Sequence, residues 1–280
     1  METILCPTDF TACSENAIRY AAALGQPMGA RLILYHNIYE PVLMDLAPFG
    51  TAPLVEAVQD PVYREGQQQK LEALAEAQRE SPFNSGVSVE CQLSYGHTLD
   101  SMVHTLRKEH VDLLVIGHEG FQEVFGYSLT ARIIHEAPCP VLVVPPHASF
   151  KYLNRIVFAT DLKGESFTDM SLVCQIAKLF NAELQLLHIL EEDTFTGRQR
   201  AQAGLGLLLK RLPYNKVSTH LEVHPEIEEG IHQFCFQQKA DLVVIGHRTK
   251  NFWQHLFLQD NTRQIAAQTF LPLLVVHHTL

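Results

Sequence analysis

Asp9, His36 and His118 stand at the ends of three short apolar, β-rich runs, and Asp161, His188 and His247 stand at the ends of three matching runs later in the chain. Strands of a parallel sheet end on one edge, so each set would gather a carboxylate and two imidazoles, donor types that suit a divalent metal. A plainer reading has each aspartate satisfying the amides of its own turn and helix start, with Asp and His converging by chance. His220, Glu222 and His224 form a weaker set on one strand face, where solvated polar residues are common. Nucleophilic catalysis has no anchor. There is no glycine-flanked serine elbow, and the six cysteines, Cys6, Cys13, Cys91, Cys139, Cys174 and Cys235, form no C-x-x-C pair and no disulfide framework. Cys6 and Cys139 lie beside apolar strands and read as reduced core residues.

The elements that must position these side chains occur twice. Ile4 to Asp9 (ILCPTD) matches Ile156 to Asp161 (IVFATD), and Ala30 to His36 (ARLILYH) matches Ala182 to His188 (AELQLLH) at one common offset. Val111 to His118 (VDLLVIGH) matches Ala240 to His247 (ADLVVIGH) at a smaller offset, which places an insertion in the first copy at Ile38 to Asp60. Pro140 to Val144 and Pro272 to Val276 close the copies, so the spacing divides the chain into domains at 1–146 and 151–280. Apolar runs alternate with helical patterns in each copy, the mark of βαβ units feeding a parallel sheet. The fold class is therefore α/β: two tandem open five-stranded parallel sheets with helices on both faces, Rossmann-like. Strands are expected near Thr3–Cys6, Arg31–His36, Val87–Leu93, Leu113–Gly117 and Val141–Val144, and again near Arg155–Ala159, Glu183–Ile189, Lys216–Val223, Leu242–Gly246 and Leu273–Val276. Helices are expected near Ser14–Leu24, Pro61–Arg79, Thr98–Lys108, Ser128–Glu136 and Thr196–Leu212. Each closing strand would leave an apolar edge open, so the two are expected to pair antiparallel and make an intramolecular pseudo-dimer.

Composition narrows the partners. A net charge of −10 without a basic stripe opposes nucleic acid and anionic membrane surfaces. No apolar run approaches the roughly 18 residues of a membrane span. METILCPTDF does not read as a signal peptide, and a cytoplasmic location is expected. The insertion is apolar and proline-punctuated, suiting a lid, an interface or a structural flap, while Phe252 and Trp253 suit core packing, a pocket filler or a partner surface.

Pro7-Thr8-Asp9, Leu32 to His36, Val111 to Gly117 and Ala137 to Val144 follow one another as strand-P-T-D-helix, L-x-L-x-H, V-D-L-x-V-I-G and A-P-C-P-V-L-V-V. In this order the chain resembles the universal stress protein family, in a tandem form whose second copy keeps Thr160-Asp161, Leu184 to His188, Ala240 to Gly246 and Pro272 to Val276. The resemblance implies a non-enzymatic stress-response module that senses a small ligand or binds an unidentified protein partner, in a family that often forms homo-oligomers. Its alternative is an ATP- or AMP-binding protein or slow ATPase. For nucleotide, the resemblance implies contacts from Pro7, Thr8, Asp9, Asn37, Gly117, His118, Gly120, Ser128 and Leu129 of the first copy, and implies no catalytic residue and no metal. Glycines there let backbone amides approach phosphates. The first copy reads Gly117-His118-Glu119-Gly120 and, after a shorter loop, Tyr127-Ser128 where the family has Gly-Ser. The second reads Gly246-His247-Arg248-Thr249 and then Gln259-Asp260, whose carboxylate would repel a phosphate. Any nucleotide is therefore expected in the first copy.

Overall fold

Leucine, isoleucine and valine dominate the central runs Leu113–Gly117, Val141–Val144, Leu242–Gly246 and Leu273–Val276, as expected where both faces of a sheet are covered. In a computed structural model, residues 1–39, 60–81, 84, 86–117, 129–162, 170–246 and 271–276 are described. They fold as two compact units, the first made of described residues up to Cys139 and the second of those from Pro140 onward.

In the first unit, β1 (Thr3–Pro7) pairs in parallel with β2 (Arg31–Ile38) from Thr3↔Arg31 to Pro7↔Tyr35. On its other side β1 pairs in parallel with β4 (Leu113–Gly117), and β2 pairs in parallel with β3 (Ser88–Tyr95). The order β3-β2-β1-β4 carries the chain outward from β1 in one direction and then back to its other side. The helices are α1 (Ala12–Gly25), α2 (Pro61–Arg79), α3 (Thr98–Lys108) and α4 (Leu129–Glu136). Ile4, Leu5, Cys6, Leu113, Leu114 and Val115 have no exposed surface. Each such buried aliphatic side chain contributes about 2 kcal/mol by leaving water.

The second unit repeats this plan. Here β6 (Arg155–Ala159) lies between β7 (Glu183–Leu190) and β9 (Leu242–Gly246), with β8 (Val217–Val223) beyond β7 and β10 (Leu273–Val276) beyond β9, all in parallel. Its described helices are α5 (Ser171–Leu179), α6 (Phe195–Arg211) and α7 (Ile227–Gln238). Strand β5 (Val141–Val144) belongs to this unit and pairs antiparallel with β10 through Val143↔Leu273, Leu142↔Leu274 and Val141↔Val275. The two closing strands thus cover each other, as the exposed-edge argument requires.

The repeated aspartate before β4 and β9 works at the amino end of each sheet. Asp112 Oδ2 accepts from the Glu2 and Thr3 amides at 2.6 and 3.0 Å, and Asp241 Oδ2 accepts from the Asn154 and Arg155 amides at 2.7 and 2.9 Å. These bonds satisfy the amides of strand ends whose carbonyls are taken by the neighbouring strands.

Helix α1 begins at Ala12, ahead of the expected Ser14, because Thr11 caps it by accepting from the Ser14 amide. Asp60 caps α2 by accepting from the Val62 amide, with Pro61 at the first helical position, where a missing N–H costs nothing. Of the expected insertion at Ile38 to Asp60, positions 40–59 lie outside the described residues. No described helix is long and apolar enough to cross a membrane.

Gly66 sits inside α2 with nothing within 4 Å of where a Cβ would be. Gly66→Ala should raise stability by about 0.5–1 kcal/mol, because alanine reduces unfolded-chain freedom without meeting a neighbour. Urea unfolding of the intact chain checks it; a lower midpoint would contradict the open packing at this point.

Candidate functional site

Strand order locates the site before any side chain is considered. The chain leaves β1 for β2 and β3 on one side and returns to β4 on the other, so strand order reverses at the carboxyl ends of β1 and β4, the place where open α/β sheets commonly bind ligands. The parallel register Ile4↔Leu113 and Leu5↔Leu114 carries Pro7 and Gly117 to that shared edge.

Beyond β1 the chain turns sharply. Thr8, 6% exposed, donates its amide to the Tyr35 carbonyl at 2.8 Å, and its hydroxyl accepts from the Phe10 amide at 3.0 Å. That hydroxyl bond is the local turn a threonine side chain offers its own backbone, and it holds Phe10 at φ 64°, a left-handed conformation that non-glycine residues seldom adopt. The strain costs about 1–3 kcal/mol and persists only where surrounding bonds fix it. His36 supplies one of them, with Nδ1 2.7 Å from the Thr8 carbonyl oxygen and its ring 4.5 Å from the Phe10 ring at a tilt of 45°.

Asp9 is exposed at the mouth of this turn. Its Oδ1 accepts from the Thr11 hydroxyl at 2.7 Å and from the Thr11 amide at 3.1 Å. Partial desolvation pushes its pKa up, but hydrogen bonds from Thr11 and Ser14 together outweigh that and hold the carboxyl below the usual aspartate value. Asp9 therefore braces the helix start, as the plainer reading of the sequence has it, and it also presents an ionised carboxylate to solvent.

The second unit builds the same turn. Thr160 donates its amide to the Leu187 carbonyl at 2.9 Å, its hydroxyl accepts from the Leu162 amide at 3.2 Å, and Leu162 has φ 54°. His188 Nδ1 lies 2.7 Å from the Thr160 carbonyl oxygen. What covers the turn differs. Leu162 packs against α6, where a Cβ on Gly204 would come within 3.1 Å of it, whereas Phe10 has the tilted His36 ring against it and Lys70 Nζ 5.9 Å from its ring centroid.

The other expected contacts are placed as follows. Asn37 Nδ2 donates to the Gly96 carbonyl and the Thr98 hydroxyl at 3.1 and 3.2 Å, and Ser94 Oγ lies 2.7 Å from Asn37 Oδ1 and 2.5 Å from the Tyr35 hydroxyl. Its amide is thus committed to joining β2, β3 and the start of α3. Leu129 opens α4 and is exposed. Gly117 closes β4, and a Cβ there would stand 2.6 Å from the Cys13 carbonyl oxygen, so close packing of β4 on the first turn of α1 itself demands glycine. His118, Gly120 and Ser128 lie outside the described residues, as do His247, Thr249, Gln259, Asp260, Phe252 and Trp253. The described residues contain no cluster of three or more metal-ligating side chains.

Burial weighs against three of the thiols as nucleophiles. It pushes Cys6 far up and raises Cys139 and Cys235 to about 12, so none forms a thiolate near neutral pH.

A family model described as the universal stress protein family matches residues 1–145 and 153–277. A universal stress protein of Synechocystis is 25% identical over 293 residues, spanning 98% of this chain and 99% of the relative. One from Thermus aquaticus is 30% identical over 147 residues, spanning 51% of this chain and 98% of the relative. Among solved structures, a universal stress protein from Archaeoglobus fulgidus matches with a TM-score of 0.66 at 14% identity, covering 99% of this chain and 96% of that one. One from Pseudomonas aeruginosa matches with a TM-score of 0.61 at 15% identity, covering 99% and 94%. These two likenesses are of fold.

Gly117→Ala forces the new methyl against backbone that cannot swing away, and should cost about 1–3 kcal/mol. Chemical denaturation of the intact chain tests this; an unchanged midpoint would mean that β4 and α1 are not packed this closely.

Proposed function

Because the chain belongs to the universal stress protein family, we propose that it is a non-enzymatic stress-response module that takes a small ligand at the carboxyl edge of its first sheet. The observation that carries this reading is the exposed Asp9 carboxylate, held ionised by Thr11 and Ser14 on a strained turn at the point where strand order reverses. Such a group offers a fixed acceptor to a ligand's hydroxyl or amino donors without needing to move. The Pro7-Thr8-Asp9 and Gly117-His118-Glu119-Gly120 segments make an adenine nucleotide the ligand class to try first, with backbone amides receiving phosphate.

Sensing is favoured over catalysis by the described chemistry at this edge. Asp9 is fixed to its own helix start, and burial raises the pKa of the Cys6 thiol on β1. The first copy is favoured over the second by what stands over each turn. Leu162 is packed beneath α6, and at the sequence positions that the family resemblance gives to phosphate the second copy carries Thr249 and Asp260, a side chain and a negative charge.

Calorimetry with ATP and with AMP tests the proposal on the intact chain, on Asp9→Ala and on Gly120→Trp. Saturable binding that either substitution weakens about tenfold or more, close to 1.4 kcal/mol, is the expected result, with no turnover of ATP. Binding untouched by both substitutions, or steady release of phosphate from ATP, would overturn it.

A further inference from the structure

We infer that His36 and His188 are the positioning residues of the two exit turns: each ring, fixed as its Nδ1–H tautomer, clamps the carbonyl of Thr8 or Thr160 and so sets the direction of the aspartate that follows. The contacts determine the tautomer. A carbonyl oxygen only accepts, so Nδ1 must carry the hydrogen in the bond of 2.7 Å found in both units. The neutral ring then has its lone pair on Nε2, for which neither ring has a partner among the described residues. Each histidine thus presents a hydrogen-bond acceptor from the end of β2 or β7. Adding a proton at Nε2 leaves Nδ1–H in place, and the clamp holds in either charge state.

Duplication makes this more than a single packing contact. Thr8 and His36 are 28 residues apart, and so are Thr160 and His188. The residue on the strained φ has changed from phenylalanine to leucine between the copies, and the aromatic contact with His36 involves that phenylalanine. The carbonyl bond survives both changes, so it does not depend on the ring contact. Its role follows from what else holds Thr8. The amide is tied to Tyr35 and the hydroxyl to Phe10, which leaves the carbonyl as the third point fixing the Thr8–Asp9 peptide plane. Without it the plane can rotate, and Asp9 Oδ1 no longer meets Thr11 in a fixed direction.

The inference deepens the proposed function, and rests on it only for the statement that the positioned Asp9 meets a ligand. The test uses no ligand, so its failure and the failure of nucleotide binding are distinguishable. Long-range nitrogen–proton NMR on histidine-labelled intact chain reads the tautomers directly. At a pH where the rings are neutral, Nδ1 of His36 and His188 is expected to carry the hydrogen and Nε2 to be of the unprotonated type. The Asp9 side-chain carbonyl carbon is then titrated in wild type, His36→Phe and His36→Asn. The Asp9 midpoint should rise toward the ordinary aspartate value in His36→Phe, and stay low in His36→Asn, whose amide can donate from the place of Nδ1. Protonation on Nε2 alone in wild type, or an Asp9 midpoint that His36→Phe leaves in place, would overturn the inference. The wild-type tautomer decides the matter even where His36→Phe fails to fold.

Discussion

One hydrogen bond, from an imidazole Nδ1–H to the carbonyl of the threonine that follows the first strand, fixes how the chain leaves the sheet in both units. Strand β1 must end at the switch point and the chain must reverse into α1 within a few residues, and the left-handed residue at Phe10 accomplishes this. That conformation is costly alone and stable only while Thr8 is held at its amide, hydroxyl and carbonyl. The direction of Asp9, its bonds to Thr11 and the capping of α1 all lie downstream of the same anchored peptide.

The two copies keep this frame and differ in what surrounds it. Asp112 and Asp241 bind strand-end amides in the same way. Inside the second sheet, however, Gln185 stands where the first has Ile33, and although only 3% exposed its Oε1 has no hydrogen-bond partner among the described residues. An unsatisfied buried amide oxygen costs about 1–3 kcal/mol, a cost that isoleucine at the matching position of the first copy does not carry. A leucine beneath α6 also replaces the phenylalanine that sits between His36 and Lys70. The backbone of the turn has therefore diverged less than the side chains around it.

Much of the fold was legible in the sequence because apolar period and repeat offset act over whole elements. Leu113–Gly117, Val141–Val144, Arg155–Ala159, Leu242–Gly246 and Leu273–Val276 lie where the apolar runs place them, and the covered edge of Val141–Val144 followed from its apolar character. Helix starts were less legible, since a single cap such as Thr11 decides them. The site was legible by position and less so by role. The metal set weighed for His36 and the plainer reading both left its work open, and in the structure its Nδ1 bonds backbone; the signal available was the constant spacing between threonine and histidine in the two copies. Gly117 read as room for phosphate, and the close approach of Cys13 is a contact across elements that spacing cannot reveal. Asn37, expected at the nucleotide, has its side-chain amide bound to Gly96 and Thr98 through a turn far away in sequence.

The proposed function, with a ligand taken by the first copy and not by the second, requires a defined stoichiometry. Native mass spectrometry of the intact chain titrated with ATP counts bound molecules directly, in wild type and in Asp9→Ala and Asp161→Ala variants. One nucleotide per chain is expected, lost with Asp9→Ala and kept with Asp161→Ala. Two per chain, or one that disappears only with Asp161→Ala, would contradict the assignment.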